Sequence, residues 1–434
     1  MAAPLPHDPR QAPNAEPSRP PWWQLDPQHR IQAGIDAWAR RAGVTLGVVL
    51  PDGRRLQAGS GSPSFTIVFR SEAALVSTLA RGHIGLLDHY FDQEVDVEGD
   101  IGAAFAAALS AGFDLQFRPW NSVENRLHEW NHSNASAARA KRNARAHYGL
   151  GAEFFRIWLD DPLMMYTCGY WPEGTLSLEQ AQRRKIDHVC RKIELRTSDR
   201  VVDIGCGFGG FLFRAHETTG ARVTGINTTT EQVDWLRAEI ARRRLQDRLA
   251  VREADFRDVD GPYDKLVSIG VLEHAGRDQL AEVVRAHAAF LKPGGLGVLH
   301  FIGHVGRFET ELFIRKHVFP GGWIPGLAHT LTTMEACGLE VLDVENLRRH
   351  YALTLDAWAD RFERRWPDIQ ALDPARFDER FRRIWRSYLV GCAEMFRSAK
   401  GYTHLFQIVF SKGPVTADSY PMSRAHLYAD VDVT

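Results

Sequence analysis

The chain has 434 residues, 44% hydrophobic and 25% charged, a balance that excludes disorder throughout. At roughly 100–200 residues per domain, two or three domains are expected. Its 53 basic and 54 acidic residues nearly cancel, so global charge makes no case for nucleic acid as a partner.

Residues 1–21, rich in Pro, Ala and polar residues, are expected to form a disordered tail. They hold no continuous apolar core of the kind a secretory signal needs. No apolar run in the chain approaches the roughly 18 residues of a membrane span. The five cysteines are scattered and make neither a disulfide framework nor a zinc motif. No metal is expected, and a reducing, cytoplasmic setting fits.

Two strands are predicted next: VTLGVVL, ending at Leu50, and FTIVF over 65–69, with the turn Pro51-Asp52-Gly53 after the first. SEAALVSTLARGHIGLLDHYF reads as helix with Ser71 as its N-cap. VDVEGD, ending at Asp100, is extended, and IGAAFAAALSAGF is helical. Together they predict a small α+β domain over residues 22–118. Residues 119–146 read as a basic linker carrying Arg139, Lys141, Arg142 and Arg145. Its cationic face is either simply solvated or in contact with anionic lipid headgroups, at about 1 kcal/mol per cation.

From about residue 180, strands and helices alternate. RVVDIG, ARVTGIN, LAVREAD, YDKLVSIG and LGVLHFIG are strands; FLFRAHE, EQVDWLRAEIARRRL and DQLAEVVRAHAAFL lie in helices. Lys292-Pro293-Gly294-Gly295 reads as the turn before the last strand. Such alternation predicts an α/β domain, a parallel sheet with helices on both faces. This catalytic domain is expected over 147–415, with a C-terminal tail over 416–434.

The first of these strands runs into Asp203-Ile204-Gly205-Cys206-Gly207-Phe208-Gly209-Gly210. Glycines between a strand and a helix let the chain turn sharply and let a ligand approach the backbone. The pattern D-x-G-x-G-x-G resembles motif I of S-adenosylmethionine-dependent methyltransferases. Asp203 would orient the loop or meet a cationic amino group. The second strand ends at Asn227, where such enzymes usually carry an acid for the ribose hydroxyls. Gln232 is a candidate ribose contact, the alternative being a solvated side chain on a helix capped by Thr229 or Thr230. Asp255 and Phe256 could hold the adenine; Asp255 could equally be a turn residue.

The segments HYGLGAEFFRIWLDDPLMMYTCGYWPEGTLSLEQAQRRKI, VSIGVLEHAG, LHFIG, HVFPGGWIP and RRHYALTLDAW, in this order, resemble the cyclopropane-fatty-acyl-phospholipid synthase family, which includes mycolic acid methyltransferases. The resemblance covers about residues 140–411, and RGHIGLLDHYFDQEVDVEGDI extends it to the family's small lipid-binding-like domain. It implies a Rossmann-like class I methyltransferase sheet behind that α+β domain. It also implies S-adenosylmethionine as methyl donor, unsaturated phospholipid as substrate, bicarbonate as proton acceptor, a homodimer, and peripheral attachment to the inner face of the membrane. Tyr166, Thr167 and Cys168 match the family's Y-S-C element, and the first two would touch the methionine part of the donor. Cys168, Glu273, His300, Ile302 (through its backbone) and Tyr351 match the bicarbonate pocket. Gly169, Phe301, Asn227 and His317 depart from the usual Ala, Thr, Thr and Tyr. The last departure bears on the acyl channel or on subunit packing.

The residue types fit that chemistry. Methyl transfer to a cis alkene leaves a carbocation that must be kept from water, and aromatic faces stabilise cations. Tyr148, Phe154, Phe155, Trp158, Tyr170 and Trp171 are the nearest candidates, ordinary core packing being the usual role of each. A base in a dry pocket must then take a proton for ring closure. A carboxylate such as Glu273 beside bicarbonate is tolerable only if protons are shared or one partner is neutral. Singly, Cys168 reads equally as a buried hydrophobe, His300 as a backbone partner and Glu273 as a helix cap. Strand-end placement favours function. Candidate membrane anchors are the basic linker and ARFDERFRRIWRSYLVGCAEMF, with Arg376, Arg380, Arg382, Arg383 and Arg386. The second is expected to be a packed helix with a cationic edge rather than an inserted one. The rival functions are methylation of the alkene without ring closure and lipid binding without catalysis.

Overall fold

The computed structural model describes residues 27–113, 119–134, 139, 142–143, 149–256 and 261–428. The expected tail over 1–21, together with Lys141, Arg145 and Tyr148, lies outside these residues.

The N-terminal part is a four-stranded sheet in the order β2-β1-β3-β4: β1 Leu46–Val49, β2 Arg55–Ala58, β3 Phe65–Phe69 and β4 Val95–Gly99. Alternation in FTIVF puts Phe65, Ile67 and Phe69 on the buried face. The segment expected as one helix is two, Glu72–Arg81 and His83–Phe91. The break is Gly82, whose φ of 65° no helix interior accepts. Ser71 caps the first, its Oγ accepting from Ala74 N at 3.2 Å. A helix over Pro27–Ala42, not anticipated, covers the sheet through Ile31, Ile35 and Trp38, spaced at helical intervals.

The larger sheet has the order β10-β11-β9-β8-β5-β6-β7. Strands β5 (Arg200–Ile204), β6 (Arg222–Asn227), β7 (Leu249–Glu253), β8 (Tyr263–Ile269) and β9 (Leu291–His304) are mutually parallel, as their alternation with helices predicts. Strand β9 begins at Leu291, so the expected turn Lys292–Gly295 lies inside the strand rather than before it. Strands β10 (Leu339–Asn346) and β11 (Thr403–Lys412) add an antiparallel edge. Chain direction reverses its progress across the sheet at β5, which opens a crevice at the carboxyl ends of β5 and its neighbours.

Two boundary expectations need correction. Residues 119–131 are a helix rather than linker, docked on the helix Leu312–His317. The stretch from 416 is seated as far as 428 rather than a free tail: Leu427 is buried and its carbonyl accepts from Arg191 Nε at 2.9 Å.

Arginines of the helix Glu379–Arg397 tie the two sheets together. Arg383 donates to the carbonyls of Tyr90 and Val95 and pairs with Asp96 at 2.6 Å. Arg380 pairs with Asp92 and Arg382 with Glu363, and Arg376, just before the helix, donates to the Gly149 carbonyl. Arg386 lies 3.9 Å from Glu363. The expected cationic edge is therefore largely neutralised within the chain. His317 faces Asp88 across the same junction, 3.4 Å away, with its ring against Phe91.

Candidate active site

Strand β5 is buried along Val201–Ile204 and delivers the glycine loop to the crevice. A Cβ on Gly205 would lie 2.6 Å from Val271 Cγ2, whereas a Cβ on Gly207 would meet no protein atom within 4 Å. Packing demands glycine at the first position; at the second the space is open. That space is the end of a cavity of about 870 Å³, which runs from the loop past the ends of β8 and β9 into the N-terminal sheet.

Every site residue expected from the sequence lines this cavity except Gly209. Gly209 serves the scaffold instead. It caps the helix Gly210–Thr219 in the left-handed conformation, and a Cβ there would strike Leu236 Cδ1 at 2.5 Å.

The cofactor side is held by amides. Asn227 Nδ2 donates to Gln232 Oε1 at 2.9 Å and to the Gly207 carbonyl at 3.2 Å, while its Oδ1 accepts from Thr229 N at 2.9 Å. Asn227 is thus consumed in tying the glycine loop to Gln232, and its contribution to a ligand is positional. The alternative of a side-chain cap by Thr229 is not realised, since Thr229 makes no such bond. Asp255 and Phe256 follow β7 on the opposite wall.

Tyr166, Thr167 and Cys168 pass beneath the loop. Tyr166 OH donates to Tyr388 OH at 3.0 Å. Thr167 Oγ1 accepts from Lys185 Nζ at 2.9 Å. Burial raises the Asp160 carboxyl and lowers the Lys185 ammonium, each against the attraction of the other. Burial also pushes Asp203 up to about 8, opposed by Lys185. Sequence reasoning missed Lys185. Its signal was a lysine on the apolar stripe of the helix Leu178–Lys192, in step with Leu178, Ala181 and Val189.

Glu273 sits on the 3₁₀ turn Leu272–His274, just after β8. Its Oε1 accepts from the Ile302 amide at 2.6 Å. The Ile302 amide is therefore spent on holding the carboxyl, rather than free for another anion. Glu273 Oε2 and His300 Nε2 are both buried without a hydrogen-bond partner among the described residues. Burial pushes Glu273 up to about 7, against the bond from Ile302. Burial holds the His300 imidazole well below its usual range, and pushes the Tyr351 phenol and the Cys168 thiol up. The pocket thus presents neutral donors beside a carboxyl that readily carries a proton, and Cys168 is a thiol rather than a nucleophilic thiolate.

The proton on His300 can be placed. His300, Gln407 and Glu345 are register neighbours on β9, β11 and β10. Lys192 Nζ lies 2.6 Å from Glu345 Oε2 and 2.7 Å from Gln407 Oε1. An ammonium only donates, so Gln407 must turn Oε1 toward it. Gln407 Nε2 then donates to His300 Nδ1, 3.0 Å away, and the remaining proton belongs on Nε2, facing the cavity. Nitrogen-15 spectra of labelled histidine should show His300 as the Nε2–H tautomer. Gln407→Glu, which offers only acceptors, should move a proton onto Nδ1; an unchanged spectrum would remove Gln407 from this role.

The aromatic candidates divide unevenly. Phe155 lines the cavity, as do Tyr166, Phe208, Phe319 and Tyr388. Phe154 and Trp158 are core: Phe154 stacks on Phe377 and Trp158 meets Trp358 edge-on. Tyr170 stacks on His188, and Trp171 Nε1 donates to Thr354 Oγ1.

Glu273 also predicts a pH dependence. A carboxyl whose folded pKa lies above its unfolded value stabilises fully at low pH and loses that contribution as pH rises, here from 4.5 to about 7. Gln does not titrate. Relative to Glu273→Gln, the native protein should lose up to about 3 kcal/mol across that window. Urea unfolding of both proteins at acid and alkaline ends checks it; a difference independent of pH would contradict a neutral, buried Glu273.

A family model described as mycolic acid cyclopropane synthetase matches residues 135–408. A probable fatty acid methyltransferase of Pseudomonas putida is 36% identical over 383 residues, 85% of this chain and 92% of its own length. A cyclopropane-fatty-acyl-phospholipid synthase of Escherichia coli strain K12 is 31% identical over 360 residues, 82% of this chain and 90% of its own. The structure of mycolic acid cyclopropane synthase CmaA1 complexed with SAH and CTAB superposes with a TM-score of 0.57 at 30% identity, covering 63% of this chain and 98% of that one.

Proposed function

This chain belongs to the mycolic acid cyclopropane synthetase family and is an S-adenosylmethionine-dependent methyltransferase, and we propose that its reaction is closure of a cyclopropane ring on the cis double bond of unsaturated phospholipid acyl chains. The observation that carries this reading is a pair of buried atoms without a partner among the described residues, Glu273 Oε2 just past the end of β8 and His300 Nε2 within β9 beside that end, facing one cavity.

When bound, S-adenosylmethionine supplies an electrophilic sulfonium methyl, strong enough for an isolated alkene. The glycine loop, Gln232, Asp255, Phe256, Tyr166 and Thr167 would hold it, with Asn227 and Lys185 fixing Gln232 and Thr167 in place. Gly207 fits this role because its missing side chain leaves open space rather than a packed contact.

Bicarbonate, when bound, supplies the proton acceptor that ring closure requires. The donor set fits a small oxyanion: His300 Nε2–H and the Tyr351 hydroxyl are neutral donors, while the Cys168 thiol, whose proton goes to the Gly169 carbonyl at 3.1 Å, lines the pocket uncharged. Glu273 Oε2, with its carboxyl near neutrality, shares a proton with the anion instead of repelling it. Phe155, Phe208, Phe319 and Tyr388 exclude water from the cation on the acyl chain. The apolar arm of the cavity, through Ile35, Trp38, Ile67 and Phe69, suits an acyl chain. On this reading the N-terminal α+β part, over 22–118, is a lipid-binding domain serving the catalytic domain from 147, and the enzyme works as a homodimer at the cytoplasmic face of a membrane.

The P. putida relative's description favours a second reading, methylation without ring closure. Incubation with unsaturated phospholipid and S-adenosylmethionine, followed by proton spectroscopy of the acyl chains, separates the two. Upfield cyclopropyl protons are expected; vinylic methylene or branched methyl signals alone would select the second reading.

A further inference from the structure

The helix Pro119–Asn131 is amphipathic in the reverse sense. A helix on a soluble protein buries its apolar stripe. Here Trp120, Val123, Leu127 and Trp130, spaced to share one face, are 78%, 52%, 56% and 75% exposed. The polar face turns inward. Asn121 Nδ2 donates to the Arg81 carbonyl, and Glu124 pairs with Arg81 at 2.7 Å. Asn125 donates to the Thr310 carbonyl and accepts from Arg315. Glu129 lies 3.3 Å from both Arg315 and Arg277.

Both carboxylates of the helix are thus committed to the protein, while Arg126 is exposed on the outward side. The outward face is apolar and cationic. Its Arg81 contact brings it against the end of the helix Glu72–Arg81, where Val76 and Leu79 are 63% and 57% exposed. Leu79 also lines the cavity, so the cavity reaches this patch. No helix among the described residues is long and apolar enough to cross a membrane.

We infer that the outward face of Pro119–Asn131, with Val76 and Leu79, is the surface by which the protein docks on an anionic phospholipid bilayer, beside the mouth through which an acyl chain enters. Tryptophans at both ends suit the headgroup level, where an indole has apolar and polar neighbours at once. The stripe between them suits shallow burial of an interfacial helix. Arg126, exposed on the same side, matches the charge of such a surface. The inference rests on phospholipid being the substrate.

The test is sedimentation of the full chain with vesicles of phosphatidylcholine alone and of phosphatidylcholine mixed with phosphatidylglycerol. Native protein should bind the mixed vesicles, and Trp120→Ser combined with Trp130→Ser should weaken binding roughly 10–100-fold. Arg126→Gln should weaken binding to mixed vesicles only and flatten its decline with salt. Melting curves establish that each variant is folded. Native-like binding by the double variant overturns the inference, as does a double variant that binds normally but has lost self-association, which would give the face to a second copy. Turnover on a water-soluble short-chain unsaturated phospholipid separates the two proposals. The double variant should match the native rate there, and a lost rate would count against a purely docking role. If the native protein modifies no phospholipid in either form, while vesicle binding still depends on the tryptophans, the proposed reaction fails and the docking face stands.

Discussion

Gly207→Val should bind S-adenosylmethionine at least roughly 10²-fold more weakly than the native protein, while remaining folded. The loop's glycines are not equivalent. At Gly205 a side chain collides with Val271, so a substitution there disturbs the fold before any ligand arrives. At Gly207 the corresponding space is cavity. Its φ of 53° does impose strain on valine, of about 1–2 kcal/mol, which a melting curve will register. That strain is local, and the strand and helix flanking the loop have their own buried cores in Val201, Val202, Phe211 and Leu212. Calorimetry then reads the ligand effect directly. Unchanged affinity in a folded Gly207→Val protein would mean that the cofactor does not approach this loop.

How much of this was legible beforehand depends on where the signal lay. The loop, Asp203 and Glu273 stand at the ends of β5 and β8, and the alternation of parallel strands with helices is a local pattern; His300, expected at a strand end, lies inside β9 opposite Ile269, the last residue of β8, because β9 runs on to His304 in its pairing with β11. Positions that depend on distant partners were harder. Gln407 is the one polar residue in the run LFQIVF at the centre of β11, and its meaning comes from His300 beside it and Lys192 behind it, 107 and 215 residues away. Lys185 and Lys192 did carry a local signal, charge on the inward stripe of an amphipathic helix, but the stripe says only that they are buried and not what they touch. The aromatic residues near the motif show the opposite failure. Proximity in sequence made Phe154 and Trp158 attractive, yet the helix Ala152–Trp158 turns both into the core and leaves Phe155 at the cavity. The polar, basic stretch from Asn131 onward carries the linker expectation, which takes in the helix Pro119–Asn131 ahead of it. In that helix the polar residues are the ones bonded to the fold, a fact that depends on partners far along the chain.

Glu273→Gln should lose roughly 10²–10⁴-fold in turnover with little change in cofactor affinity. Gln has the same length, and its Oε1 retains the bond from the Ile302 amide, 2.6 Å in the native protein. The change therefore falls on the other arm. Glu273 Oε2, buried and without a partner among the described residues, becomes an NH₂ group. That group only donates, whereas a carboxyl poised near pH 7 either donates or accepts as the proton on its neighbour moves. His300 Nε2–H and Tyr351 are donors as well. A pocket of donors alone still attracts an anion, but it has no member able to take up the anion's own proton, so orientation and proton balance are lost together. If Glu273 and bicarbonate form one catalytic unit, their losses will not add: depleting carbonate should slow the native protein severely and the variant little further. Steady-state turnover of both proteins in carbonate-depleted and carbonate-replete buffer, with cofactor affinity measured alongside, gives the comparison. A variant with native rate and native carbonate dependence would reduce Glu273 to a residue that braces the turn after β8. A variant that is slow yet fully carbonate-dependent would keep Glu273 in the reaction but separate it from the anion.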